Sequence, residues 1–165
     1  MRNIVLVGFM GTGKTAVGKE LAERLKMKFV DIDDIIEEQQ GMEITDIFAK
    51  KGEPYFRSVE KGVIKEVSKK TGLIIAAGGG AVIDEENVKN LKSGGIMICL
   101  TASPDKILER TKGYVHRPLL NVPDPKRRIT ELLEKRAQFY ARADCQIDTT
   151  NLTIEEILQK ISEML

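Results

Sequence analysis

The run Gly8-Phe9-Met10-Gly11-Thr12-Gly13-Lys14-Thr15 has the form G-x-x-x-x-G-K-T and directly follows the apolar residues 4–7. Glycines at these spacings let the backbone curl until several N–H groups aim at one anion, and a helix beginning near Lys14 adds the positive end of its dipole. Lys14 is then within reach of the β- and γ-phosphates, and Thr15 carries a hydroxyl suited to Mg²⁺. The helical pattern Val17, Leu21, Leu25 that follows separates this phosphate loop from a glycine-rich hairpin turn. The chain is therefore expected to handle a nucleoside triphosphate.

Asp31 and Asp33 end the next apolar run, where open α/β sheets present groups to ligands. Two readings of this pair stand side by side. One carboxylate could serve a metal–nucleotide while the other orients an attacking hydroxyl, or the pair could cap a helix beginning near Asp34. The second acidic motif usual in phosphate-loop enzymes is missing, because residues 73–77 run instead into Gly78-Gly79-Gly80. Three bare residues at a strand end either admit a ligand close to backbone N–H donors or form a plain flexible turn. Among many basic residues, Arg57, Arg110, Arg117 and Arg136 stand in distinctive settings. Arg57 sits early in a helix, where a cation opposes the dipole and needs another reason to be present. Arg136 cannot be told from its basic neighbours by pattern, and any of the four could be a solvated surface charge. His116 is the single histidine, which leaves little room for a His-based metal site or a Ser-His-Asp triad.

These groups need a scaffold, and its outline is visible. Apolar runs at 4–7, 29–32, 73–77, 96–100 and 146–148 read as strands, and amphipathic segments at 14–25, 53–70, 104–110 and 126–143 read as helices. A last helix follows Thr153 as N-cap, with Ile154, Ile157, Leu158, Ile161 and Leu165 as its buried stripe. The alternation implies an α/β fold with a parallel sheet covered by helices on both faces. Residues 33–52 read as short helices, and 112–125 as an irregular ligand-handling loop. At 165 residues the chain suits one well-buried core. Its 26 basic and 25 acidic residues nearly cancel, so neither a nucleic-acid-binding field nor a membrane-binding patch is indicated. Cys99 and Cys145 lie in separate strand-like runs with no metal spacing, which reads as buried free thiols in a reducing cytoplasm.

Six segments, taken in order, resemble the shikimate kinase family over essentially the whole chain. Residues 8–15 resemble its phosphate loop, Phe29-Val30-Asp31-Ile32-Asp33 its paired-aspartate strand, and residues 52–60 its G-E-x-x-F-R-x-x-E segment. Gly78-Gly79-Gly80-Ala81-Val82 is similar to its triple-glycine turn, Arg117-Pro118-Leu119-Leu120 to its lid signature, and residues 136–140 to its R-x-x-x-Y helix. Ala77 stands where a hydroxyl residue is frequent in the family, a modest departure.

The resemblance implies a three-layer P-loop NTPase fold, nucleoside monophosphate kinase-like, with a five-stranded parallel sheet. It implies one domain over 1–165, with a substrate-binding insertion at about 33–61 and a lid at about 112–125. The implied activity is transfer of the γ-phosphoryl of MgATP to the 3-hydroxyl of shikimate, within chorismate and aromatic amino-acid biosynthesis. Lys14, Asp33 and Arg117 would be catalytic, with Gly11, Thr12, Gly13, Lys14, Thr15, Ala16, Arg110 and Arg117 on ATP. Asp33, Arg57, Gly79 and Arg136 would hold shikimate, the two arginines on its carboxylate, while Thr15, and Asp31 through water, would hold Mg²⁺. The implied partners are shikimate and ATP, with no nucleic acid or membrane, and the expected state is a cytoplasmic monomer. Two alternatives are a related kinase such as a gluconate kinase and a nucleotide-binding regulatory module without catalysis.

Overall fold

The structure is a computed structural model that describes residues 1–113 and 122–165. Five strands, β1 (Asn3–Val7), β2 (Lys28–Asp31), β3 (Leu73–Ala76), β4 (Gly95–Thr101) and β5 (Cys145–Asp148), form one parallel sheet in the order β2-β3-β1-β4-β5. At its centre, Ile4 is in register with Ile74 of β3 and Ile96 of β4. After β1 the chain moves to one side of that strand and later to the other. The switch falls between β1 and β4, and open α/β sheets bind ligands beyond the carboxyl ends of their strands at such a point.

Strand alternation sends successive side chains to opposite faces, and the core divides accordingly. Ile4, Leu6, Ile74, Ile98 and Leu100 pack with Val17 and Leu21 of α1 (Lys14–Leu25) and with Ile157, Leu158 and Ile161 of α8 (Ile154–Met164). Val5, Val7, Ile75, Met97 and Cys99 face the other layer. That layer contains α2 (Ile32–Gln40), α3 (Ile44–Lys51), α4 (Glu53–Ser68), α5 (Glu85–Gly94), α6 (Pro104–Thr111) and α7 (Pro125–Tyr140). Sheet and helices on both faces are thus as the apolar runs foretold.

Several boundaries differ from the sequence expectation. The strand expected over 29–32 ends at Asp31, because that carboxylate caps α2 and turns the chain there. Helix α5 was not legible, since Leu91 and a buried Asn87 are its inward residues and give only a weak apolar stripe. In α8, Thr153 caps the helix through the N–H of Glu156, but Ile154 and Leu165, at its two ends, are exposed. Cys99 is buried, and burial pushes its thiol up to about 11, whereas Cys145 on the edge strand β5 is only half-buried. No described helix is long and apolar enough to cross a membrane. The expected lid, including His116 and Arg117, falls largely outside the described residues.

Candidate active site

Between β1 and α1 the chain makes a tight loop whose geometry follows from its glycines. Gly8 has φ 137°, and a Cβ there would collide with the carbonyl oxygen of Leu100 on the neighbouring strand, so only glycine fits. Gly13 is the N-cap of α1 and offers no side chain to the first N–H groups of the helix. Those donors and the helix dipole are thereby left for an anion. Thr12 is buried, and its hydroxyl donates to the Phe9 carbonyl at 2.8 Å, which closes the loop from within. The Lys14 ammonium donates to the carbonyls of Gly8 and Phe9, the latter at 3.0 Å, so the lysine lies back along the loop it serves. Thr15 and Ala16 are exposed in the first turn of α1.

A second wall stands beside this loop. Asp31 uses Oδ1 to accept the N–H groups of Asp33 (2.8 Å) and Asp34 (3.4 Å), which places Asp33 in the first turn of α2. Asp31 is therefore the capping acid of the pair, and Asp33 contributes its backbone N–H to that cap. Burial, then the charge of Asp34, raises the Asp31 carboxyl above the usual range, against the pull of the capping N–H groups and of Lys14. A Cβ on Gly78 would stand 3.3 Å from Asp33 Oδ1 and 3.5 Å from Glu60 Oε2, so the two carboxylates converge on the bare backbone of the glycine turn.

The cations complete this wall. Arg57 Nη1 donates to both Glu60 oxygens, at 2.9 and 3.2 Å, and its Nε faces Glu53 at 3.4 Å. These acids, one turn along the same helix, supply the reason for a cation early in α4. Gly80 is where that guanidinium presses, since any Cβ there would collide with it. Arg136 is only 8% exposed, which removes the surface-charge reading, and its guanidinium lies 5.7 Å from the ring centroid of Phe9 in the phosphate loop. A Cβ on Gly79 would meet Arg136 Nη1 at 3.3 Å and the Gly8 carbonyl at 3.4 Å, so turn, arginine and loop share one small space.

Two residues in this wall carried no assigned role in the sequence. Glu60 is buried beneath Arg57, and burial raises its carboxyl despite the arginine's pull. Tyr140 donates its hydroxyl to the Gly79 carbonyl at 2.9 Å, and burial pushes its pKa to about 12, so it remains a donor at neutral and moderately alkaline pH. Helical spacing was the available signal, with Glu60 three residues after Arg57 and Tyr140 four after Arg136. On the opposite side of the phosphate loop, Arg110 donates to the Gly11 carbonyl (3.2 Å) and to the hydroxyl and carbonyl of Thr149 (both 3.0 Å). No group of three or more metal-ligating side chains exists among the described residues. A nucleotide-borne Mg²⁺ needs no such group, because it takes most of its ligands from phosphates and water. The exposed Thr15 hydroxyl and the half-buried Asp31 suit that role.

A donor cradle beside a wall of two arginines and two carboxylates suits a phosphate-loop kinase, and the sheet order fits a nucleoside monophosphate kinase-like fold. The family model described as "Shikimate kinase" matches residues 10–165. The shikimate kinase of Thermodesulfovibrio yellowstonii is 52% identical over 161 residues, covering 98% of this chain and 93% of that one. A solved structure of shikimate kinase from Acinetobacter baumannii in complex with shikimate superposes with a TM-score of 0.95 at 39% identity, covering 99% and 92% of the two chains. The enzyme of Aquifex aeolicus gives a TM-score of 0.82 at 34% identity, covering 98% and 94%. The chain belongs to the shikimate kinase family.

Proposed function

We propose that the chain transfers the γ-phosphoryl group of MgATP to the 3-hydroxyl of shikimate, giving shikimate 3-phosphate and ADP. The observation that carries this reading is the convergence of Asp33, Arg57 and Arg136 on the glycine turn beside the phosphate loop. A hydroxylated cyclic carboxylate needs a planar cation or two for its carboxylate and an acid for its hydroxyls, and this wall supplies both. The close likeness to a relative solved with shikimate supports the same reading.

In this mechanism Arg57 and Arg136 hold the acceptor carboxylate, with Gly79 against the ring. Asp33 accepts the hydrogen bond of the 3-hydroxyl and takes its proton as the new O–P bond forms. The bond from the γ-phosphorus to the bridging oxygen breaks, and ADP leaves with that electron pair. Lys14 swings from the Gly8 and Phe9 carbonyls to the β- and γ-phosphates, where it stabilises charge on the transferring group. Gly11, Thr12, Gly13, Thr15 and Ala16 contribute backbone N–H groups to the phosphates, and Arg110 lies on the adenine side. Thr15, together with Asp31 through water, would hold Mg²⁺, which when bound would neutralise charge on the phosphates. Residues 112–125 form the lid in this reading, with Arg117 closing over the phosphates and excluding water. The same reading makes the chain a cytoplasmic monomer of one domain, with residues 33–61 as the acceptor-binding insertion.

The test is ADP release measured with shikimate, quinate and gluconate as acceptors. Turnover that depends on shikimate and far exceeds that with the other two is expected. No shikimate-dependent rate above the ATPase background overturns the proposal.

Two variants probe the pocket. Arg136→Ala removes a buried charge-assisted contact, and should weaken shikimate binding by about 2–5 kcal/mol in calorimetry with little change in ADP affinity. An unchanged shikimate affinity would remove Arg136 from the clamp. In Gly80→Ala the new methyl collides with the movable end of Arg57 rather than with backbone. The expected result is a shikimate KM raised about tenfold with a destabilisation of about 1 kcal/mol. A lost fold, or an unaltered KM, contradicts that account.

A further inference from the structure

Thr149, just beyond β5, is fully buried although it is polar and lies in a connecting segment. Its backbone N–H donates to the Thr101 carbonyl at 2.8 Å, which pins it to the end of β4. Its hydroxyl oxygen lies 2.9 Å from the Thr101 carbonyl and 3.3 Å from the Thr12 carbonyl, and accepts from Arg110 Nη1 at 3.0 Å. One hydroxyl has one proton, so it is shared between the two carbonyls while a lone pair receives the arginine. The same guanidinium nitrogen also donates to the Gly11 carbonyl, and Nη2 donates to the Thr149 carbonyl. Arg110 and Thr149 therefore act as one unit holding two consecutive carbonyls of the phosphate loop, those of Gly11 and Thr12.

In a planar trans peptide the N–H of each residue points away from the preceding carbonyl. Holding the Gly11 and Thr12 carbonyls toward Thr149 and Arg110 consequently aims the N–H groups of Thr12 and Gly13 toward the opposite side of the loop. An anion is gathered there only if those donors are already aligned, because an unaligned loop must lose backbone freedom on binding. We infer that Thr149 is a positioning residue of the triphosphate site, which, through Arg110 and directly, fixes the phosphate loop in its anion-binding shape. This rests on residues 8–15 being the triphosphate cradle. It also gives Arg110 a second task, on the loop's backbone as well as beside the base.

Calorimetry on the full chain with MgADP, inorganic tripolyphosphate and shikimate tests the inference. Thr149→Val keeps the side-chain shape and removes the hydroxyl, and should weaken MgADP and tripolyphosphate by about tenfold each while shikimate changes less than about twofold. Thr149→Ser should restore both nucleotide-site affinities to within about twofold of the parent. Unchanged tripolyphosphate binding with weakened MgADP would confine Thr149 to the adenine side and overturn the inference. So would an equal loss for shikimate, which signals general damage. Should Thr149→Val fail to fold, Arg110→Lys serves instead: it replaces the fork by a single donor, and tripolyphosphate affinity must fall for the inference to stand. If the unaltered chain binds neither MgADP nor tripolyphosphate, the cradle reading itself fails and takes this inference with it.

Discussion

Lys14→Ala is expected to lower kcat by about two to three orders of magnitude, with the fold intact. The donor cradle can still gather phosphates through backbone N–H groups and the start of α1, so nucleotide binding should suffer less than turnover. What is lost is a mobile positive charge that follows the transferring group, and interactions made mainly in the transition state appear in kcat. Stability should change by about 1 kcal/mol, because Lys14 is half-exposed and the Phe9 carbonyl it leaves still accepts from the Thr12 hydroxyl. Steady-state kinetics with a thermal melt check both halves of this expectation. Activity near that of the parent chain would remove Lys14 from the mechanism.

Asp33→Asn should cost about 10²- to 10⁴-fold in kcat, the range for a positioned acid–base group. The substitution keeps the shape and, because the α2 cap is made by Asp31 with the backbone N–H of Asp33, leaves that cap in place. An amide can still hydrogen-bond a hydroxyl but takes no proton from it, so kcat should fall further than acceptor affinity. If shikimate binding weakened strongly with kcat intact, Asp33 would be a binding group only. The buried Glu60 close by does not substitute, because Arg57 occupies both its oxygens.

The parts of this site that were legible in the chain are those whose chemistry is local. The phosphate loop is contiguous, its glycines are demanded by backbone geometry, and its strand and helix flank it directly, as Gly8 and Gly13 illustrate. The apolar alternation of β1, β3 and β4 was equally plain, because central strands buried on both faces read as unbroken apolar runs. Arg136 shows the limit. Pattern could not separate it from Lys135 or other basic neighbours, and only the packing of α7 against the glycine turn buries its guanidinium while theirs remain outside. Helix α5 was missed for a related reason, since its inward face is held by the polar Asn87, which donates to the Ala81 carbonyl.

Asp31 and Asp33 mark the division most clearly. Their identities and spacing established that two acids follow a strand, but strand alternation and helix capping were both open. The structure settles this by ending β2 at Asp31, so that one acid holds the turn and the other joins the pocket. Thr149 lies at the far end of that scale. Nothing in its neighbours along the chain distinguishes it, and its importance comes from residues 39 to 137 positions away that meet at one hydroxyl. By itself the sequence determined the donor cradle, the layer order and the inventory of polar groups, because each is written in short-range spacing. Which cations are buried, which acid lies against the glycine turn and which hydroxyl meets the loop's carbonyls were decided only when the sheet brought distant segments together, since burial and hydrogen-bond partnership are properties of neighbours in space.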